Sequence, residues 1–149
     1  MFKTKSLTDM DVIHVLKSQG IKLNGIFMKD ELPSKLKRGF YVINLQSSND
    51  GNGTHWTAFY YSPKHSYYFD PFGFLAPIEV DRKLNTYKYN DKQIQNVKSS
   101  ACGFYCIAFI IFMYGRKNKE LKIGFESFVD AFSTNTKEND KLLYNYLYK

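Results

Sequence analysis

Residues 101–114, ACGFYCIAFIIFMY, carry no charge and are apolar on nearly every side of a helix. A helix without a polar face has to lie inside a protein core or inside a membrane. This 14-residue run is shorter than the roughly 20 residues that cross a bilayer. It is therefore expected to be a central buried helix, around which the rest of the chain must build a shell. A chain of 149 residues is long enough to do this as one domain, residues 1–149. With 12 Tyr and 13 Phe, the core is expected to consist largely of rings.

The same run holds both cysteines of the chain, Cys102 and Cys106. Two cysteines at i and i+4 on one helix make a poor disulfide pair, and no third cysteine offers another partner. That usage fits a reducing compartment. A zinc site would need two further ligands, and the chain has neither a CxxC nor an HxxxH, so no metal is expected. Cys102 follows the small polar lead-in 99–101 and opens the helix, where unpaired N–H groups and the helix dipole favour a thiolate. Cys106 lies one turn deeper, where a thiol is packing material. Cys102 is the candidate for chemistry and Cys106 belongs to the core.

The first helix is well marked. Thr8 is its N-cap, Asp11 completes a capping box, Leu7 and Val12 suit a hydrophobic staple, and Gly20 ends it. Its apolar side should be Val12, Ile13 and Leu16, with His14 facing water. Residues 21–39 are mixed and basic, and Pro33 breaks any helix there. Strands are expected over 40–46, 55–61 and 66–70, with a further one at 85–89. Residues 47–54 read as a loop and 62–65 as a tight turn with Pro63 in its second position. After the central helix, 115–122 reads as a basic solvated link, followed by amphipathic helices near 125–132 and 139–148.

If 62–65 is a hairpin tip, paired residues have numbers summing to 127. Phe59 then faces Tyr68, and Thr57 faces Asp70. His55, Thr57 and Asp70 share a sheet face, and His55 is the diagonal neighbour of Asp70, within reach of a hydrogen bond. A slip of one residue would destroy the relationship. Singly, a strand histidine is usually structural and an Asp before Pro is usually a turn cap. On one face, with a helix-opening cysteine elsewhere in the chain, they form a candidate catalytic set.

The segments GTHWTAFYYSPKHSYYFDPFGF and QNVKSSACGFYC resemble the adenovirus maturation protease family (adenain), part of the wider group of cysteine peptidases that includes the SUMO-processing Ulp proteases. The resemblance covers roughly residues 54–114. It implies an α+β, papain-like or Ulp-like fold: a central mixed sheet packed on a buried helix that starts at the catalytic cysteine, flanked by further helices. It implies His55 as base, Asp70 as its orienting acid, Cys102 as nucleophile and Gln95 as an oxyanion donor, with Trp56 and Gly103 lining the substrate site. The acid is Asp where adenain has Glu, and the additional cysteine through which the adenovirus enzyme captures an activating peptide is absent. The expected function is a viral endopeptidase acting on capsid precursor proteins at glycine-containing sites. It would work without a cofactor, with DNA or a non-covalently bound peptide as the conceivable activator. A monomer inside virion and host cell, neither secreted nor on a membrane, is the matching expectation.

The formal net charge of +7 attracts polyanions. Lys35, Lys37 and Arg38, and Arg116, Lys117 and Lys119, either hold the protein loosely to DNA or serve only solubility. Two other functions stay open on the sequence alone. One is a Ulp-like isopeptidase that removes ubiquitin or SUMO-like modifiers, and the other a basic nucleic-acid-binding or structural virion protein on a protease fold.

Overall fold

The computed structural model describes residues 7–46, 55–96, 98–116 and 120–148. Helix α1 (Asp9–Ser18) starts with the capping box: Thr8 accepts from Asp11 N–H at 3.1 Å while Asp11 accepts from Thr8 N–H at 2.9 Å. It ends in a Schellman turn, with Ile21 N–H on Leu16 O and Gly20 N–H on Lys17 O, both at 3.0 Å. Gly20 takes φ +73 there, a conformation that favours glycine. Val12 and Leu16 are buried as expected, but Ile13 is 36% exposed, and Val15 packs on the core in its place.

Strands β1 (Gly25–Met28), β2 (Gly39–Asn44), β3 (Trp56–Tyr61), β4 (Tyr67–Phe69) and β5 (Lys88–Tyr89) form one sheet in sequence order. The two outer pairings are parallel and the two inner ones antiparallel, which makes the sheet mixed. The expected hairpin register is observed, with Ala58 opposite Phe69, Phe59 opposite Tyr68 and Tyr60 opposite Tyr67. β1 falls in the segment read as mixed and basic. Its Gly-Ile-Phe-Met run is too short to show periodicity, and it is a strand because β2 supplies its ladder. α2 (Ile78–Leu84) was not expected either; it buries Val80 and Leu84 beneath the sheet face carrying Tyr41, Ile43, Phe59 and Tyr68.

The other face, with Phe40, Val42, Ala58, Tyr60, Tyr67 and Phe69, packs on α3 (Cys102–Tyr114). Both faces are covered, so β2 and β3 are buried almost continuously instead of alternately. α3 is the central helix, and Phe109 is the hub of a ring cluster. Phe69 stacks on it at 5.2 Å, and Phe125 and Phe128 meet it edge-on at 6.0 and 5.9 Å. α4 (Leu121–Asp130) and α5 (Thr136–Leu147) complete that side, each starting a few residues earlier than expected. α4 begins inside the supposed solvated link because Leu121 is buried. The loop 47–54 lies outside the described residues. No helix among them is long and apolar enough to cross a membrane.

Candidate active site

His55 stands one residue before β3 and Asp70 one residue after β4, so the hairpin register brings them to the same end of the sheet. His55 Nε2 lies 2.8 Å from Asp70 Oδ1. The same oxygen accepts the Phe72 N–H at 2.8 Å, so Asp70 is a turn cap and a histidine partner at once. Asp70 is fully buried, and its peptide is held from both sides by Asn90. Asn90 Oδ1 accepts from Asp70 N–H at 3.0 Å, and Asn90 Nδ2 donates to Asp70 O at 2.6 Å. The Asn90 side chain thus continues the ladder where β5 has already ended. Nothing in the sequence singles out Asn90.

α3 starts at Cys102 at this same end of the sheet, close enough to the His55 imidazole for its sulfur to act on the titration of the ring. With Nε2 on Asp70, Nδ1 is the ring nitrogen left for Cys102. Burial is the largest single influence on His55 and lowers its pKa. Hydrogen bonds with Asp70 and Cys102, and the charges of both, outweigh it and raise the pKa from 6.5 to about 9. Phe72 stacks on the imidazole at 4.3 Å and 13°, which fixes the ring plane and keeps water off one face. Sequence reasoning missed Phe72, although it stands two residues beyond the acid. Cys106 is fully buried. Burial, and then the charges of Cys102 and Asp70, push its thiol well above its ordinary pKa, in keeping with a core role.

Gln95 lies in the connection between β5 and α3, 1% exposed. Its Nε2 donates one hydrogen to Ser99 O at 2.8 Å, leaving the second for another acceptor. The N–H groups of Ile94 and Gln95 both donate to Pro71 O, at 2.9 and 2.8 Å, tying this connection to the turn after Asp70.

Trp56 and Gly103 have a different setting from the one expected. Trp56 alternates with His55 and Thr57, so it faces the helices. It is 8% exposed, and its indole N–H donates to Leu7 O at 3.0 Å. A Cβ on Gly103 would come within 3.1 Å of Leu7 Cβ, so glycine here admits the chain that leads into α1. Both residues thus meet Leu7, the residue that leads into α1. Lys35, Lys37 and Arg38 are exposed. Arg116 is folded back with its guanidinium 4.3 Å over the Phe112 ring, and does not extend into solvent. Lys117 and Lys119 lie outside the described residues. A groove of about 530 Å³ between α1 and β1, lined in part by Leu16, Ile21 and Ile26, contains none of the site residues.

A histidine hydrogen-bonded to a carboxylate and close to a helix-opening thiol can deliver a thiolate and return a proton. No protein-family model and no curated protein matches the chain. Two crystal structures of ASFV pS273R protease have a similar fold. One, with selenomethionine, superposes with a TM-score of 0.63 at 16% identity, covering 97% of this chain and 67% of that one. The other gives 0.59 at 17% identity, covering 99% and 68%. The chain has the α+β fold of the Ulp-like cysteine proteases.

Proposed function

We propose that the protein is a cysteine endopeptidase with Cys102, His55 and Asp70 as its catalytic triad. The observation that carries this reading is the placement of His55 between Asp70 and Cys102, where imidazolium and thiolate stabilise one another. The thiolate attacks the scissile carbonyl carbon, and the negative charge moves to the carbonyl oxygen. The free hydrogen of Gln95 Nε2 and the Cys102 N–H hold that oxyanion. The tetrahedral centre collapses to a thioester as His55 gives its proton to the departing amine. Neutral His55 then takes a proton from water, whose oxygen attacks the thioester and releases the acid product, restoring the thiolate–imidazolium pair. Asp70 keeps Nε2–H pointed at itself, so Nδ1 serves Cys102 throughout.

Capsid or other virion precursor proteins of a double-stranded DNA virus or related element are the substrates we propose, cut at glycine-containing sites by a monomeric enzyme inside the virion or infected cell. The similarity to a viral protease fold and the burial of Cys102 support this. DNA held by Lys35, Lys37 and Arg38 is the proposed non-covalent activator. Purified protein is to be incubated with the virion proteins encoded beside it, and separately with ubiquitin- and SUMO-conjugates, each with and without DNA. Cleavage of the virion proteins, lost in Cys102→Ala, is the expected result. Release of a modifier alone would make the enzyme an isopeptidase, and no cleavage of any substrate would sink the reading.

A further inference from the structure

We propose that helix α5 is a working part of the active site: Asp140 is a positioning residue that, through Ser99, holds the Gln95 amide, which is to bind the oxyanion together with the N–H of Cys102. The proposal rests on the peptidase reading, in which those two donors bind the oxyanion.

The described part of the connection between β5 and α3 contains no helix or strand, so no ladder of its own fixes Gln95. Besides the Pro71 carbonyl, which accepts from the Ile94 and Gln95 N–H groups, its hydrogen-bond partners include one face of α5, at positions 136, 139 and 140, spaced as neighbours on a helix. Asn96 Nδ2 donates to Thr136 Oγ1 at 3.0 Å, Asn139 Nδ2 donates to Ile94 O at 3.0 Å, and Ser99 Oγ donates to Asp140 Oδ2 at 3.0 Å. Asn139 is 1% exposed and is itself anchored by exchanging hydrogen bonds with the Ser133 backbone at 2.8 and 2.9 Å.

Asp140 joins this clamp to the nucleophile's helix. Its other oxygen accepts the Tyr105 hydroxyl at 2.7 Å, and Tyr105 stands three residues after Cys102. Burial and then Asp140 raise the Tyr105 phenol far above its ordinary pKa, so it stays a hydroxyl donor at any working pH. Ser99 is where the two halves meet. Its carbonyl accepts Gln95 Nε2 at 2.8 Å and its hydroxyl accepts Ala101 N–H at 3.2 Å, just before the helix begins. One carboxylate thus sets both the helix start and the serine against which the Gln95 amide rests. Misplacing such a group by about 1 Å costs on the order of 10²-fold in rate.

The test compares Ser99→Ala, Asp140→Ala, the double variant, and Ser99→Thr, which keeps the hydroxyl. Each single alanine variant should lower kcat on a cleavable peptide roughly 10- to 100-fold with KM within about threefold. The double variant should be no worse than the poorer single, and Ser99→Thr should recover most of the loss. Alkylation of Cys102 by iodoacetamide, which forms no oxyanion, should keep its rate in all four. Leu143→Ala, which removes buried α5 packing without touching a polar contact, should lower Tm while keeping kcat in the cold. Normal kcat in both alanine variants would overturn the proposal. So would an equal loss in alkylation, or an equal kcat loss in Leu143→Ala, since stability and not alignment would then be responsible. If the wild type cleaves no peptide at all, the peptidase reading falls and the clamp with it; if the wild type cleaves and Asp140→Ala is unaffected, only the clamp falls.

Discussion

Asp70→Asn isolates the charge of the proposed triad acid, because the surrounding hydrogen bonds dictate how the amide must sit. Phe72 N–H donates to Oδ1 in the wild type, so the asparagine oxygen has to remain there and its NH₂ has to take the Oδ2 position. Oδ2 has no hydrogen-bond partner among the described residues, so the change breaks no bond on that side. Asn90 grips the peptide of residue 70 whatever the side chain. The oxygen can still accept from His55 Nε2, and only the negative charge is lost. The rise of His55 from 6.5 to about 9 corresponds to ~3 kcal/mol of net stabilisation of the imidazolium. Burial opposes that rise, and Asp70 is its first contributor and Cys102 its second. Without the carboxylate the imidazolium is no longer favoured near neutral pH, and kcat/KM should fall by on the order of 10²–10⁴, with Tm lowered because the new NH₂ is buried without an acceptor. Ring NMR can follow the titration directly, since the chain has three histidines and His14 and His65 are both exposed. In Asp70→Asn the His55 signal should titrate well below 9. A variant with kcat/KM within about threefold of wild type, and His55 still titrating as before, would refute the assignment of Asp70.

Gln95→Ala should lower kcat by roughly 10²–10³ with KM nearly unchanged, because an oxyanion donor acts in the transition state; a raised KM at constant kcat would make Gln95 a substrate contact instead. The raised His55 pKa also predicts a pH dependence of folding. A group whose pKa is higher folded than unfolded contributes its stability fully below the unfolded value and loses it as pH rises through the folded one, so stability should decline from about pH 6.5 to about pH 9. Chemical denaturation across that window should show a fall of up to ~3 kcal/mol in the wild type and a flatter profile in His55→Ala. Gly73→Ala should cost ~2 kcal/mol or more, read as a lower Tm, because residue 73 has φ +81 and an added Cβ would meet the Lys92 backbone at 2.7 Å.

What could be read from the chain, and what could not, divides largely by sequence separation. The α1 capping box spans three residues and its terminal glycine is adjacent, so propensity alone placed that helix. α3 was legible because a helix with no polar face has one place to go. The His55–Asp70 pair spans 15 residues across a hairpin whose register follows from one turn, so counting from Pro63 was enough. β1 and α2 escaped because neither is defined by its own pattern. β1 needs β2 for its hydrogen bonds, and α2 has an N-cap, Pro77, without a capping side chain. The hydrogen bond of Trp56 escaped notice because its partner, the carbonyl of Leu7, lies 49 residues away.

The same rule explains why the candidate site residues could be named from the sequence while their supports could not. Cysteine and histidine announce chemistry by residue type, so two cysteines and three histidines left few combinations to weigh. Asn90, Ser99, Asn139 and Asp140 are residue types that usually decorate a surface, and none carries a signature at its own position. Their contacts reach across 20, 41 and 45 residues: Asn90 to Asp70, Asp140 to Ser99, and Asn139 to Ile94. Each has a backbone or hydroxyl group as its partner, and every chain offers such groups at every position. A candidate triad can therefore be named from residue identity plus one turn, whereas the scaffold proposed to align it depends on where α5 lands. That difference has a consequence for variation: substitutions on the 136–140 face of α5 should disturb catalysis although no sequence motif marks it, while much of the exposed opposite face of the helix should tolerate change.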